Sequence, residues 1–292
     1  MSDVFASLGE PLPDAHHRRE ALASLDLAVA RFAVYYVPPA GACWWNEGSR
    51  WLGRDAITGR QLNAPQVPGL SRALADLTVD ARRYGLHGTL KAPMRLAPGV
   101  KLDDLYAIAR HVAARHTPFD LPLAIDVVDT DNGKRPGFVA LRPKTNVAGV
   151  PGVVSAAGAA AAAAAKQIDA LAFDCVEAFD ALRALPSEAE LARRLAQPLT
   201  TRQRELLARW GYPYVFDEFR FHVTLTDRVG AADATAITDW WRPRVQALGP
   251  MRVDGIALFV QPAPEAPFVI AERFTFGQNP AASAADPAGD AA

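Results

Sequence analysis

The sequence has few cysteines, almost no net charge and no long hydrophobic run. Its 292 residues include 2 cysteines and no Cys-x-x-Cys pattern, so we expect neither a disulfide framework nor a cysteine-rich zinc site. The formal net charge of −1 excludes a strongly basic surface for long nucleic acid or an anionic membrane. No run reaches the roughly 18 apolar residues of a membrane helix. Early acidic residues argue against a secretory signal. We expect a cytoplasmic protein.

Several common enzyme signatures are also absent. The sequence contains no Gly-x-Gly-x-x-Gly, no phosphate loop ending in Gly-Lys-Ser/Thr, no His-Glu-x-x-His and no Gly-x-Ser-x-Gly. The usual dinucleotide, nucleotide-phosphate, zinc-protease and serine-hydrolase sites are therefore unsupported. We expect no cofactor and no metal. Apolar residues make up 50% of the chain and charged residues 22%, a composition typical of globular proteins.

The most informative pattern that is present occurs twice. Residues 87–90 are His-Gly-Thr-Leu, and residues 222–225 are His-Val-Thr-Leu. A β-strand places residues i and i+2 on the same face, so each copy directs an imidazole and a hydroxyl into the same space. Two such pairs facing each other would suit acid–base chemistry on a phosphate ester.

The segments after the two motifs follow the same order. Each motif strand is followed by a Gly-containing break, a helical segment and two strand-like runs, which indicates a diverged internal duplication. The alternative is that the two motifs are unrelated strand histidines. The predicted segments are a helix over residues 102–115 with strands over 121–128 and 137–142, and a helix over residues 231–248 with strands over 252–260 and 267–276.

We predict that His87 and His222 act as general acid and general base, in an order that the sequence leaves open. An unperturbed histidine pKa of about 6.5 makes both protonation states accessible near neutral pH. The alternative is two structural core histidines. Thr89 and Thr224 would donate hydrogen bonds to phosphate oxygens, although threonine is also common in strands for its β-propensity.

Three further residues are candidates for binding substrate. Lys91 stands two residues after Thr89, so strand periodicity predicts that its cation shares that face and holds phosphate. Arg220 shares a face with His222 by the same rule. Tyr84 lies just upstream of the first motif, where its ring could stack on the substrate. For all three, a solvated or packing side chain is the equally weighted alternative.

The chain divides into a main body and flanking segments. We predict an N-terminal extension over residues 1–30, a folded body over 31–276 and a disordered tail over 277–292. An alanine-rich insertion over about 150–165 is expected to be flexible or locally helical. Hairpin-like neighbouring strands favour an α+β fold with antiparallel pairing over a doubly wound sheet. Three tryptophans within residues 44–51 are expected to pack in the core.

The motifs and their flanks resemble the 2H phosphoesterase superfamily, and within it the DUF1045 branch of phosphonate metabolism proteins. The resemblance covers about residues 31–276. It is carried by residues 31–36 (Arg-Phe-Ala-Val-Tyr-Tyr), by residues 83–93 around the first motif and by residues 210–226 around the second.

This resemblance implies a bilobal, pseudo-twofold duplicated fold whose antiparallel sheets line a central cleft, with helices outside. Both His-x-Thr motifs would face the cleft. It also implies metal-independent hydrolysis of a cyclic phosphodiester in a small nucleotide-like or sugar-phosphate substrate. The natural substrate is left open, and we favour a monomer.

Two other kinds of function remain open at this point. One is a binding module that holds a phosphorylated ligand or an RNA end without turnover. The other is an RNA end-processing or ligase-like enzyme on the same scaffold, because fold does not fix function. The near-neutral charge gives no support to a long RNA groove.

Overall fold

The computed structural model describes residue 22 and residues 24–129, 136–144 and 155–277. Most of the predicted N-terminal extension and almost all of the predicted C-terminal tail lie outside these residues. Within them, no helix is both long and apolar enough to cross a membrane.

The described residues form nine strands and seven α-helices. The strands are β1 (Arg31–Tyr36), β2 (Gly88–Met94), β3 (Phe119–Leu121), β4 (Leu123–Val128), β5 (Phe138–Pro143), β6 (Val223–Arg228), β7 (Met251–Val253), β8 (Gly255–Gln261) and β9 (Val269–Thr275). The helices are α1 (Cys43–Leu52), α2 (Val79–Tyr84), α3 (Leu102–Arg115), α4 (Ala156–Ala178), α5 (Glu188–Leu195), α6 (Thr201–Trp210) and α7 (Ala231–Leu248).

The predicted α+β class with antiparallel pairing is confirmed. Seven strands form one sheet in the order β4-β5-β6-β2-β1-β8-β9, and β3 pairs with β7 in a separate two-stranded sheet. All the pairings are antiparallel. Every residue of β8 is buried, because this strand lies between two neighbours and is covered on both faces.

The order of elements after each motif is repeated, as predicted. Strand β2 is followed by α3, β3, β4 and β5, and strand β6 is followed by α7, β7, β8 and β9. Each predicted first strand of the two runs is divided into a short and a longer strand. The division falls at Pro122 in the first run, where proline lacks the N–H that a ladder requires, and at Asp254 in the second.

The sheets predicted for two separate lobes are joined in the structure. The motif strands β2 and β6 are neighbours in one sheet, but a single residue pair, Gly88 with Val223, is in register between them. Gly88 allows this approach because a Cβ at this position would lie 2.4 Å from ring carbons of Phe221. The pseudo-twofold relation between the halves stays a prediction.

Alternate residues of β1 enter different hydrophobic clusters on the two faces of the sheet. Phe32, Val34 and Tyr36 belong to the large core on the face covered by helices. Residues Ala33 and Tyr35 belong to a smaller cluster on the opposite face, together with side chains such as Trp45, Phe259 and Phe268. The tryptophans of α1 are buried, so their predicted role in packing is confirmed.

The alanine-rich segment forms the first turns of helix α4. The side chain of Ser155 accepts a hydrogen bond from the backbone N–H of Gly158 and so caps the helix. Ala161 and Ala164 are buried, and the helix packs against the motif strand β2. The helical alternative for this segment is therefore confirmed from Ala156 onward, and residues 150–154 lie outside the described part of the chain.

Candidate functional site

His87 stands just before β2, at the end of a tight turn that follows helix α2. The turn requires Gly85, which has φ +77° and whose Cβ, if present, would lie 2.6 Å from the Cβ of Ala56. The imidazole Nδ1 of His87 is 2.9 Å from the carbonyl oxygen of Gly85. The turn therefore fixes the orientation of the histidine ring through the main chain.

His222 makes the same contact in the second motif. Its Nδ1 lies 2.8 Å from the carbonyl oxygen of Arg220, two residues earlier. A carbonyl oxygen can only accept, so Nδ1 carries the hydrogen in both histidines. In the neutral ring, Nε2 is then left with its lone pair, ready to accept a proton or a hydrogen bond.

Both histidines are held neutral at neutral pH. Burial lowers the pKa of His87 to about 4; the hydrogen bond to Gly85 opposes this, and the charge of His222 lowers it further. Burial also lowers the pKa of His222, and the charge of Arg142 acts in the same direction. The residues that follow the two histidines, Gly88 and Val223, are paired in register, so the topology brings both motifs to the same part of the sheet.

Thr89 and Thr224 follow the two histidines by two residues, so strand periodicity places each hydroxyl on the side of its imidazole. Thr89 is the register partner of Tyr35 on β1, and Thr224 is the register partner of Ala140 on β5. Both threonines are partly exposed. Neither hydroxyl makes a hydrogen bond with another residue in the described part of the chain. Both are therefore free to bind an oxygen of a ligand.

Lys91 does not share the face of Thr89, contrary to the prediction. Tyr35 pairs with Thr89 and the adjacent Val34 pairs with Lys91, so β2 has one extra residue at Leu90. This β-bulge breaks the two-residue period, because two residues of the bulged strand oppose one residue of its partner. Val34 and Leu90 both belong to the core on the helical face, and Lys91 is turned to that side.

The ammonium of Lys91 is bound within the protein. Its Nζ donates to the carbonyl oxygen of Val176 at 3.0 Å and lies 3.3 Å from Oδ1 of Asp180, and the residue is 4% exposed. Burial lowers the pKa of Lys91 to about 8, and the charge of Asp180 opposes the shift. Lys91 therefore ties the motif strand to the end of α4.

Arg220 is exposed and its guanidinium contacts the preceding turn. Its Nη1 donates to the carbonyl oxygens of Asp217 at 2.8 Å and Phe219 at 2.6 Å. Its own carbonyl oxygen holds the ring of His222. The main chain of Arg220 therefore orients the histidine, and a substrate contact by its side chain stays a prediction.

Tyr84 lies in an aromatic column that includes the first histidine. Its ring stacks on Phe268 with a centroid distance of 4.9 Å and on His87 at 5.6 Å. The ring of Tyr35 lies nearer to the imidazole, at 4.2 Å. Tyr84 therefore supports the ring of His87, and direct stacking of Tyr84 on a substrate stays a prediction.

The sequence did not indicate three further residues of the site. Tyr35 contacts the first histidine, and Phe138 lies 5.5 Å from the ring of His222. On β5, Ala140 pairs with Thr224 of the second motif. Arg142 stands two residues after Ala140, so strand periodicity places it on the same face of the sheet as Thr224. Only the strand pairing reveals these neighbours, because they come from distant parts of the chain.

The described residues include no group of three or more His, Cys, Asp or Glu side chains placed to hold a metal ion. The predicted independence of metals and cofactors stays a prediction.

Comparison with known proteins places the chain in a family. The model of the family described as "Protein of unknown function (DUF1045)" matches residues 89–269, so the chain belongs to the DUF1045 family. The wider 2H superfamily stays a prediction.

Two curated relatives carry the same name, ribose 1,5-bisphosphate phosphokinase PhnN. The relative from Janthinobacterium sp. (strain Marseille) is 36% identical over 284 residues, which are 94% of this chain and 55% of the relative. The relative from Laribacter hongkongensis (strain HLHK9) is 38% identical over 242 residues, 82% of this chain and 50% of the relative. The chain thus spans about half the length of the curated relatives it matches.

One solved structure is weakly similar. The crystal structure of TT0787 of Thermus thermophilus aligns with a TM-score of 0.38 and 16% identity, over 85% of this chain and 99% of that one. A similarity of this size carries no argument about fold or function.

The names of the relatives overturn one prediction. The expected metal-independent phosphoesterase would hydrolyse a cyclic phosphodiester, whereas both relatives are named as phosphokinases. The error has a chemical origin. Paired imidazoles and hydroxyls are suited to binding phosphate and transferring protons, but they do not determine whether water or another group is the phosphoryl acceptor.

Proposed function

We propose that the chain binds a phosphorylated ribose between its two His-x-Thr motifs and acts in phosphonate metabolism. The observation that carries the proposal is the matched geometry of His87 and His222, each held through Nδ1 with Nε2 left free. The unpartnered hydroxyls of Thr89 and Thr224 lie beside them. Hydroxyls can donate to phosphate oxygens, and the imidazoles can take the proton that a phosphate monoester exchanges near pH 6.

The charges around the site favour a small anion of this kind. Arg142 is the cation that acts on His222, and its Nη1 also contacts Oδ2 of Asp126 at 2.8 Å. Lys91 adds no charge to the site, because its ammonium is bound to Val176 and Asp180. One partly compensated arginine and two neutral imidazoles suit one phosphate group better than a polyanion. Binding a dianion would raise the pKa of both histidines and draw a proton onto one of them.

The ribose part of the proposal comes from the relatives. Their name includes ribose 1,5-bisphosphate, and the present chain matches about half of each relative. The sequence has no phosphate loop ending in Gly-Lys-Ser/Thr. We therefore assign the phosphorylated ribose to this half, and we assign the nucleotide site of a phosphokinase to the part of the relatives that the chain does not match.

Calorimetric titration of the purified chain tests the binding. Ribose 5-phosphate and ribose 1,5-bisphosphate should bind, and unphosphorylated ribose should not. Thr89→Val and Thr224→Val keep the side-chain shape and remove the hydroxyl, so each should weaken binding about tenfold or more. Thr235→Val is the matched control, because the hydroxyl of Thr235 donates to the carbonyl oxygen of Ala231 on the exposed side of α7.

An activity assay tests whether the nucleotide site lies outside this chain. The chain alone, mixed with ATP, magnesium and ribose 1,5-bisphosphate, should form no ADP above the level of a buffer blank. ADP formation that the double variant Thr89→Val/Thr224→Val loses would contradict this assignment. A wild-type chain that binds neither ribose phosphate would overturn the proposed function as a whole.

A further inference from the structure

Tyr35 is in contact with both residues of the first motif. It is the register partner of Thr89 across the β1–β2 ladder, and its ring centroid lies 4.2 Å from that of His87. Partners in register carry their side chains on the same face of a sheet. The residue is 1% exposed, so the site encloses its ring almost completely.

The hydroxyl of Tyr35 makes no hydrogen bond with any residue in the described ranges, and it does not belong to the fully buried side-chain atoms that lack a partner there. Its neighbour Tyr36 behaves as a buried tyrosine normally does, and its hydroxyl donates to the carbonyl oxygen of Arg252 at 2.7 Å. The hydroxyl of Tyr35 is therefore available to a ligand hydroxyl, which a phenol can both donate to and accept from.

Two other tyrosines influence the pKa of this hydroxyl. Burial is the largest cause that raises the pKa of Tyr35, and the phenolates of Tyr84 and Tyr212 raise it further, while Arg31 opposes them. The ring of Tyr84, like that of Tyr35, lies against His87, so both phenols belong to the surroundings of the first motif. Uncharged phenols both donate and accept hydrogen bonds, which suits a sugar hydroxyl, whereas a phosphate would call for cations.

We propose that the hydroxyl of Tyr35 binds a sugar hydroxyl of the ligand and makes the site selective for a sugar phosphate over inorganic phosphate. This inference rests on the proposed function, in which the phosphate lies between the two motifs. Tyr35 stands next to Thr89 and His87, so a ring attached to that phosphate would reach the phenols on the side of the first motif.

The test compares Tyr35→Phe with Tyr36→Phe in calorimetric titrations with ribose 5-phosphate and with inorganic phosphate. Tyr35→Phe should weaken ribose 5-phosphate binding about tenfold, because one hydrogen bond to the sugar is lost, and leave inorganic phosphate within about twofold. Tyr36→Phe should bind both ligands as the wild type does, because its hydroxyl bonds to the protein on the helical face. Thermal unfolding should show Tyr35→Phe at least as stable as Tyr36→Phe.

Each other result has a defined meaning. If Tyr35→Phe binds ribose 5-phosphate as tightly as the wild type, the sugar contact is overturned and the proposed function remains. An equal loss for both ligands would show that Tyr35 acts only by supporting His87, which also overturns the sugar contact. If the wild type binds neither ligand, both proposals are overturned together.

Discussion

His87 and His222 are held in the same way, each by an Nδ1 contact of 2.9 or 2.8 Å to the carbonyl oxygen two residues earlier. Because the carbonyl accepts, both neutral rings must be the Nδ1–H tautomer. We expect long-range ¹H–¹⁵N correlation spectra at pH 7.5 to show a protonated Nδ1 and an unprotonated Nε2 for both residues. The spectra of His87→Asn and His222→Asn would assign the signals. An Nε2–H signal from either ring would contradict the arrangement.

Acid should destabilise the protein through His87. Its pKa is about 4 in the folded protein and about 6.5 when unfolded, so the unfolded chain binds more protons between these values. The neutral ring therefore contributes its full share of the unfolding free energy above pH 6.5. This share, at most about 3 kcal/mol, is lost as the pH falls toward 4. His87→Asn keeps a donor for the carbonyl of Gly85 and does not titrate in this range.

Urea unfolding of both proteins at pH 7.5, 6, 5 and 4 measures this contribution. The wild type should lose more stability than His87→Asn at each step below pH 6.5, because carboxylates common to both cancel in the difference. A constant difference across this range would show that His87 titrates normally, and a neutral resting imidazole would then be wrong.

Lys91 should matter for stability and not for ligand binding. Lys91→Met removes the hydrogen bond to the carbonyl of Val176 and one of the cations that contact Asp180. Asp180 keeps two other partners, because it also accepts from Arg183 at 2.9 Å and Arg209 at 3.1 Å. We expect a loss of about 1–3 kcal/mol in unfolding free energy, because a buried carbonyl loses its partner. Affinity for ribose 5-phosphate should stay within about threefold of the wild type. A loss of binding without a loss of stability would restore Lys91 as a ligand residue.

The contrast between Thr89 and Lys91 shows how far local periodicity can predict this site. A two-residue period correctly places Thr89 on the face of Tyr35, whose ring lies against His87. The same rule fails at Lys91, because the bulge at Leu90 depends on how β2 pairs with β1. That pairing joins segments more than 50 residues apart, so no short window of sequence contains it.

The same limit applies to the residues that the sequence did not indicate. The residues around Tyr35 are recognisable as a strand, and the sequence predicts which of them share a face. Which of the two faces meets the site depends on the pairing of β1 with β2. Arg142 reaches the second motif only because β5 pairs with β6. Element types and their repeated order follow from local pattern, whereas the composition of the site follows from long-range pairing.

The pairing of the two motif strands, β2 and β6, depends on the absence of a side chain at Gly88. A Cβ there would lie 2.4 Å from the ring of Phe221, which is itself buried and cannot move aside freely. We expect Gly88→Ala to cost about 1–3 kcal/mol in unfolding free energy through overpacking. Gly230→Ala is the control, because a Cβ at Gly230 meets nothing within 4 Å, and it should cost less than about 1 kcal/mol.

A double-mutant cycle assigns the cost of Gly88→Ala to this contact. Phe221→Leu shortens the opposing side chain, so Gly88→Ala should cost less in that background than in the wild type, with a coupling of at least about 0.5 kcal/mol. Gly88→Ala should also weaken ribose 5-phosphate binding, because forcing β2 away from β6 separates the two histidines between which we propose that the ligand binds. If the two changes prove additive, the ring of Phe221 does not set the spacing of the motif strands, and some other contact must hold them together.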